Sequence, residues 1–119
     1  MVEKYSYHFI YFSELAYEFN ISDKTKIEEK IKRKLKYYNF DSYNQEIVNN
    51  IRVLRNELYE EISLRKNSKY FIKSTSKYSS IEDFDIDKME IDFKEKYNNL
   101  NKEDLLKILN FAVYIFYLR

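Results

Sequence analysis

Ser42-Tyr-Asn-Gln-Glu-Ile-Val-Asn-Asn-Ile-Arg-Val-Leu-Arg-Asn-Glu-Leu-Tyr-Glu-Glu-Ile62 decides the fold. Ile47, Ile51, Leu54, Leu58 and Ile62 recur every three or four residues, which lays one apolar stripe along a helix. The stretch opens on Ser42-Tyr-Asn-Gln45, which has capping-box spacing, so a helix is predicted from Tyr43 to about Arg65. Upstream, Thr25-Lys-Ile-Glu28 repeats that spacing, with Ser22 and Asp23 as competing caps. Ile27, Ile31, Leu35 and Tyr38 then follow at helical intervals. Tyr5 to Phe19, aromatic at almost every early position, reads as one further helix closed by Asn20.

Downstream, residues 67–80 are rich in Ser, Lys and Tyr and read as a loop, with Ser79-Ser-Ile-Glu82 as a start signal. From Phe84 to Tyr97 two periods compete. Phe84 and Ile86, then Met89, Ile91 and Phe93, alternate with acids as in a strand with one slip, whereas Ile86, Met89, Phe93 and Tyr97 share a helical face. The helical reading is preferred, with a short extended segment left open around residues 69–93. Asn101 then caps a helix from Lys102 to Leu118, whose nearly all-round apolarity makes it the expected central, most buried element. The prediction is an all-α, single-domain bundle of four or five helices over residues 1–119.

The composition excludes whole classes of chemistry. The 119 residues include no Gly, Pro, Cys or Trp, and the only histidine is His8. Without glycine there is no phosphate-cradling loop, dinucleotide fingerprint, nucleophile elbow or EF-hand turn. Zinc sites built from Cys and His pairs are likewise excluded. Left-handed turn positions must fall to other residues, and Asn tolerates them best. Lys, Asn, Ile, Tyr and Phe, whose codons are rich in A and T, dominate, as in a very AT-rich genome. That character suits a virus, plasmid or other mobile element, where small helical proteins inhibit or modulate host defence. The N-terminus has no secretory signal pattern, and the apolar run Leu105 to Leu118 is too short for a membrane span. No membrane is therefore expected, and the cytoplasm is the default location.

Net charge is +1, but it is unevenly spread: residues 1–78 carry 15 basic and 11 acidic groups, and residues 79–119 carry 6 and 9. Lys24, Lys26, Lys30, Lys32, Arg33, Lys34 and Lys36 crowd one helix. Lys26, Lys30, Arg33 and Tyr37 share a face, a footprint for phosphates plus a stacking ring, with Lys34 as a further candidate contact. The competing reading is a solvated face held by Glu28–Lys32 and Glu29–Arg33 pairs. The acids Asp83, Asp85, Asp87, Glu90 and Asp92 suggest a partner-binding surface. They do not make a calcium loop, because Lys88 and Lys94 stand where its glycine and bidentate glutamate belong.

Two local resemblances bear on function. Residues 14–27, with Leu15-Ala16, a turn at Asn20, Ile21-Ser22 and Thr25, resemble helix-turn-helix regulators, although Ile27 comes one place late. The resemblance implies that the second helix enters the major groove. Ile51-Arg-Val-Leu-Arg-Asn-Glu-Leu-Tyr-Glu-Glu resembles the Arg-Asn-x-x-x-His helix of the HEPN ribonuclease family of small all-helical domains. Arg55 and Asn56 match, while Glu60 occupies the histidine position, which implies a relative without nuclease activity.

No catalytic constellation assembles. Glu14–Glu18 and Glu57–Glu61 are ordinary one-turn pairs, and His8 lies among Tyr7, Phe9 and Ile10 without an evident partner. The expected function is a non-enzymatic interaction protein, free of metal and cofactor. It would bind and modulate a protein or protein–nucleic-acid complex, with a homodimer left open. The alternatives are direct nucleic-acid binding, as a regulator or as the helical small subunit of an RNA-guided complex, and a degenerate HEPN-like domain.

Overall fold

The computed structural model describes residues 6–19, 21–40, 42–72 and 78–118. Five α-helices follow one another: α1 (Tyr7–Leu15), α2 (Lys24–Tyr37), α3 (Gln45–Ser63), α4 (Ile86–Lys96) and α5 (Lys102–Val113). No strand forms among the described residues, and the fold is all-α as expected. The chain gathers into two compact units, Met1–Arg55 and Asn56–Arg119, whose boundary falls inside α3.

In the first unit α1 lies against α2. Phe9, Ile10, Tyr11, Phe12, Ser13 and Leu15 are buried, so six of the nine α1 residues are hidden, against six of the twelve in α5. The most enclosed helix is therefore α1, not the C-terminal one that its apolarity singled out. Each large apolar side chain so buried contributes roughly 1.5–3 kcal/mol. Helix α1 is also shorter than the predicted Tyr5 to Phe19. After Leu15 the backbone tightens, with the N–H of Tyr17 donating to Glu14 and that of Glu18 to Leu15. Residues 1–5 and Asn20, the expected closing residue, lie outside the described residues.

Helix α2 buries Ile27, Ile31 and Leu35, the stripe its period announced. It starts behind Asp23, whose side chain makes no cap hydrogen bond, and Thr25 already lies inside the helix. Its end shows how the chain manages without glycine. Asn39 adopts φ 63°. The Phe40 N–H donates to the Leu35 carbonyl at 2.8 Å and the Asn39 N–H to that of Lys36 at 3.1 Å. This pair of bonds is a Schellman closure with Asn in the glycine place.

Helix α3 is capped by Asn44, whose Oδ1 accepts from the N–H of Glu46 at 2.8 Å, rather than by Ser42. Ser42 serves differently: its carbonyl accepts the Tyr7 hydroxyl at 2.8 Å, while the Tyr11 hydroxyl accepts from the Asn44 N–H at 3.0 Å. The two α1 tyrosines thus satisfy backbone groups just ahead of α3.

In the second unit α4 packs on α5. The acids that clouded the strand-or-helix choice turn out to be terminus residues. Ser80 and Asp83 form a capping box on a short 3-10 turn, Ile81–Asp83, and Asp85 caps α4 by accepting from the Lys88 N–H at 3.1 Å. Met89 and Phe93 form the buried face. The extended segment allowed for around residues 69–93 shrinks to one isolated bridge between Phe71 and Phe84 among the described residues, and 73–77 lie outside them. Asn101 caps α5 as expected, accepting from the Asp104 N–H at 2.7 Å.

Beyond Val113 the last helix widens into a π-helical turn, Tyr114–Leu118, where Tyr117 donates to Asp83 at 2.6 Å. Arg65 closes the stretch after α3 with φ 53°, a left-handed backbone that costs a non-glycine residue roughly 1 kcal/mol. Its guanidinium is anchored on the Tyr117 carbonyl at 3.3 Å and over the Tyr117 ring at 5.1 Å.

Candidate nucleic-acid interface

The outward face of α2 concentrates the charge of the first unit. With seven basic residues and two acidic ones, the helix carries +5. At 3.6 residues per turn, Lys26, Lys30, Arg33 and Tyr37 fall within an arc of about 60°, away from Ile27, Ile31 and Leu35, and span about 16 Å of axis. Lys26, Lys30 and Arg33 are exposed, as is Lys36 beside them, and none of the four makes an ion pair among the described residues. Tyr37, at the end of the stripe, is 77% exposed and touches the neighbouring Tyr38 ring edge-on.

Of the two acids on α2 only Glu29 borders this face, and both are engaged elsewhere. Glu28 is bound by Arg52 at 3.1 Å rather than by Lys32, and Glu29 pairs with Lys32 at 3.3 Å, which leaves Arg33 unpaired. Lys34 does not join the stripe. It turns back to Glu14 at 2.8 Å and Ser13 at 3.3 Å and is partly buried. Lys24 and Lys26 also stand in the first turn, where the helix dipole is already positive, so the fold itself gains nothing from them there. What they strengthen is a field that attracts anions.

A groove of about 460 Å³ flanks the stripe, lined by Lys32, Leu35, Lys36, Asn39, Phe40 and Tyr43. Sequence reasoning missed it, because only the left-handed turn at Asn39 folds Phe40 and Tyr43 back beside the helix end. The available signal was Asn39 itself, one residue past the last helical intervals.

The acidic set does not form one surface. Asp83 is buried under Tyr117, Asp85 is a helix cap, and Asp92 accepts the Tyr70 hydroxyl at 2.8 Å. Only Asp87 is fully open to water, with Glu90 half-buried. A second groove, about 610 Å³, is lined by Glu57, Glu60, Glu61, Lys69, Tyr70 and Lys96 among others. Most of its polar groups are engaged: Glu61 with Ser68 at 2.5 Å, and Glu57 with Lys96 at 2.8 Å and with the Tyr97 hydroxyl.

Burial pushes the Glu57 carboxyl up, but the hydrogen bonds from Lys96 and Tyr97 and the Lys96 charge outweigh it and hold the pKa below its ordinary 4.5. A depressed carboxylate pKa stabilises the fold above the unfolded value, and the contribution is lost as pH falls through the folded one. Because the group is a third open to water, Glu57→Gln is expected to cost about 1 kcal/mol or less at neutral pH. Urea melts of the two proteins should converge below about pH 4. A constant gap down to pH 3 would remove the carboxylate as its source.

The two resemblances fall on the α1–α2 junction and on α3. Eight residues, 16–23, separate α1 from α2, too many for a helix-turn-helix junction of three or four. Arg55 is buried, with its guanidinium 5.3 Å from the Phe19 ring, and Glu60 is exposed. His8 is half-buried against the edge of Tyr7. Among the described residues no group of three or more His, Cys, Asp or Glu could hold a metal, and no helix is long and apolar enough to cross a membrane. No family model, curated protein or solved structure matches this chain.

Proposed function

We propose that the protein is a non-enzymatic nucleic-acid-binding protein whose helix α2 follows a phosphate backbone. One observation carries the reading: Lys26, Lys30 and Arg33, with Lys36 beside them, stand exposed on one side of α2 with no ion-pair partner among the described residues, Glu29 being taken by Lys32. Partnerless cations cost the fold repulsion, and polyanion binding with counterion release gives them a purpose. This reading takes up the direct nucleic-acid-binding alternative in place of the expected protein-binding modulator. The helix reads backbone rather than sequence, since Lys and Arg on phosphate carry no base information.

Gel-shift titrations on RNA, single-stranded DNA and duplex DNA across a salt series test it. Up to four phosphate contacts give a slope of log affinity on log salt of about −3. Lys30→Glu with Arg33→Glu is expected to shrink that slope by about 2 and to lower affinity at least tenfold at low salt. Full affinity in the double variant would exclude α2 as the contact.

A further inference from the structure

The groove at the C-terminal end of α2 has a different chemistry from the stripe. Its rim is cationic, with Lys32 and Lys36, and its walls are apolar and aromatic, with Leu35, Phe40 and Tyr43. Asn39 adds an exposed side-chain amide that has no hydrogen bond among the described residues. At about 460 Å³ the groove lies within the usual range for small-molecule sites. The end of a helix is its negative pole, which disfavours a phosphate and suits the donors on a base edge.

We infer that this groove receives an unstacked base of a single-stranded nucleic acid while Lys26, Lys30 and Arg33 hold the phosphates that lead to it. The inference rests on the nucleic-acid reading of α2 and adds to it a preference between single and double strands. A duplex keeps its bases stacked and paired, so it can offer this groove only an edge. A single strand can turn a base into it, with the ring against Phe40 or Tyr43 and the Watson–Crick edge within reach of the Asn39 amide, which both donates and accepts. Charge complementarity argues for the same occupant, since α2 carries +5 and its two flanking lysines sit where the phosphates of the inserted nucleotide would lie.

One group stands in the way. Lys32 covers the Tyr43 ring at 4.9 Å and pairs with Glu29 at 3.3 Å. That pair is half exposed on both sides, a class of interaction that holds weakly, so Lys32 can move from the ring to a phosphate as the base enters. Tyr43 is backed by the Tyr11 ring, stacked at 6.2 Å, and Phe40 by Tyr7 at 5.5 Å, so the walls stay in place.

The test measures fluorescence anisotropy of four labelled oligomers of equal length on the full chain: oligouridylate, oligodeoxythymidylate, an abasic deoxyoligomer and a duplex. Base-bearing single strands are expected to bind at least tenfold tighter than the abasic strand and the duplex, in keeping with base stacking in single-strand sites. The two base-bearing strands separate RNA from DNA as the preferred source. Asn39→Gly keeps the left-handed turn and is expected to remove most of that preference while leaving abasic binding within about threefold. Circular dichroism on the same samples confirms that the variant is folded. Equal affinity for abasic and base-bearing strands, or equal affinity for duplex, overturns the inference and leaves the α2 reading standing. Failure of all four oligomers to bind overturns the α2 reading itself.

Discussion

Raising the pH from about 10 to about 11 is expected to remove about 3 kcal/mol of stability, a large share of the margin of a domain of this size. The cause is the use this chain makes of its 13 tyrosines. Tyr11, Tyr43, Tyr70, Tyr97 and Tyr117 all have hydroxyls pushed above their ordinary pKa of 10.0, burial being the largest cause in each. In three of them a hydrogen bond to a carboxylate adds to it: Asp92 for Tyr70, Glu57 for Tyr97 and Asp83 for Tyr117. A pKa raised by folding leaves its stabilisation whole below the unfolded value of 10.0, and that stabilisation drains away as pH climbs towards the folded value. Each strongly raised group contributes up to about 1.4 kcal/mol per pH unit over that window.

Urea melts from pH 8 to 12, followed by circular dichroism and by tyrosinate absorbance, give the answer. These five tyrosines should ionise with unfolding and not before it, and Tyr97→Phe should reduce the steepness by about one proton. Stability that stays flat past pH 11, or all 13 rings ionising in the folded protein near pH 10, would contradict the account.

The tyrosines also mark where sequence reading succeeds and where it stops. Period alone located α2 and α3, since Ile27, Ile31 and Leu35, and then Ile51, Leu54, Leu58 and Ile62, are buried, although Ile47 is only half-buried and Val48 takes its place in the core. It left α4 contested between strand and helix, and the helical reading it preferred is the observed one. The alternating acids that argued for a strand include Asp85 and Asp87, which occupy the cap and first turn, where a negative charge meets the positive end of the helix dipole. The caps that failed are those in which a long-range bond decided the matter: Ser42 gave its carbonyl to Tyr7 and left the capping role to Asn44.

The stripe of the candidate site was legible because Lys26, Lys30, Arg33 and Tyr37 need only helical geometry to come together. Its charge balance was not. Glu28–Lys32 is a sound local pair, yet a guanidinium 24 residues away captures the carboxylate, and nothing in the spacing shows that. The groove was hidden for a similar reason. Phe40 and Tyr43 reach it only through the turn at Asn39, a backbone choice made at one residue.

Arg52→Ala is expected to lower stability by about 3 kcal/mol, at the low end of the cost of breaking a buried ion pair. The guanidinium grips both oxygens of Glu18, with Nε to Oε1 at 2.7 Å and Nη2 to Oε2 at 2.6 Å, and Nη2 also reaches Glu28 at 3.1 Å. The three side chains are only 13–20% exposed, so water screens the cluster poorly. The Glu18 and Glu28 charges favour the ionised guanidinium more than burial opposes it, and its pKa rises further above the ordinary arginine value. Removing the arginine leaves two carboxylates facing each other with no counter-charge, and that, more than the lost attraction, sets the cost.

The geometry makes this separable. Glu18→Gln in the Arg52→Ala background removes one of the stranded charges and should recover part of the loss, so the two substitutions are non-additive by more than about 1 kcal/mol. The clamp also tunes the binding face. Once released, Glu28 keeps its negative charge on α2 with no counter-charge and weakens the positive field of the helix. Arg52→Ala should therefore weaken nucleic-acid binding a few-fold at low salt and hardly at all at high salt, where exposed charges are screened. Urea midpoints for the two single variants and the double, with salt titrations of the folded Arg52→Ala protein, test both parts. Additive losses would mean that the carboxylates do not oppose each other, and unchanged binding at every salt would disconnect the clamp from α2.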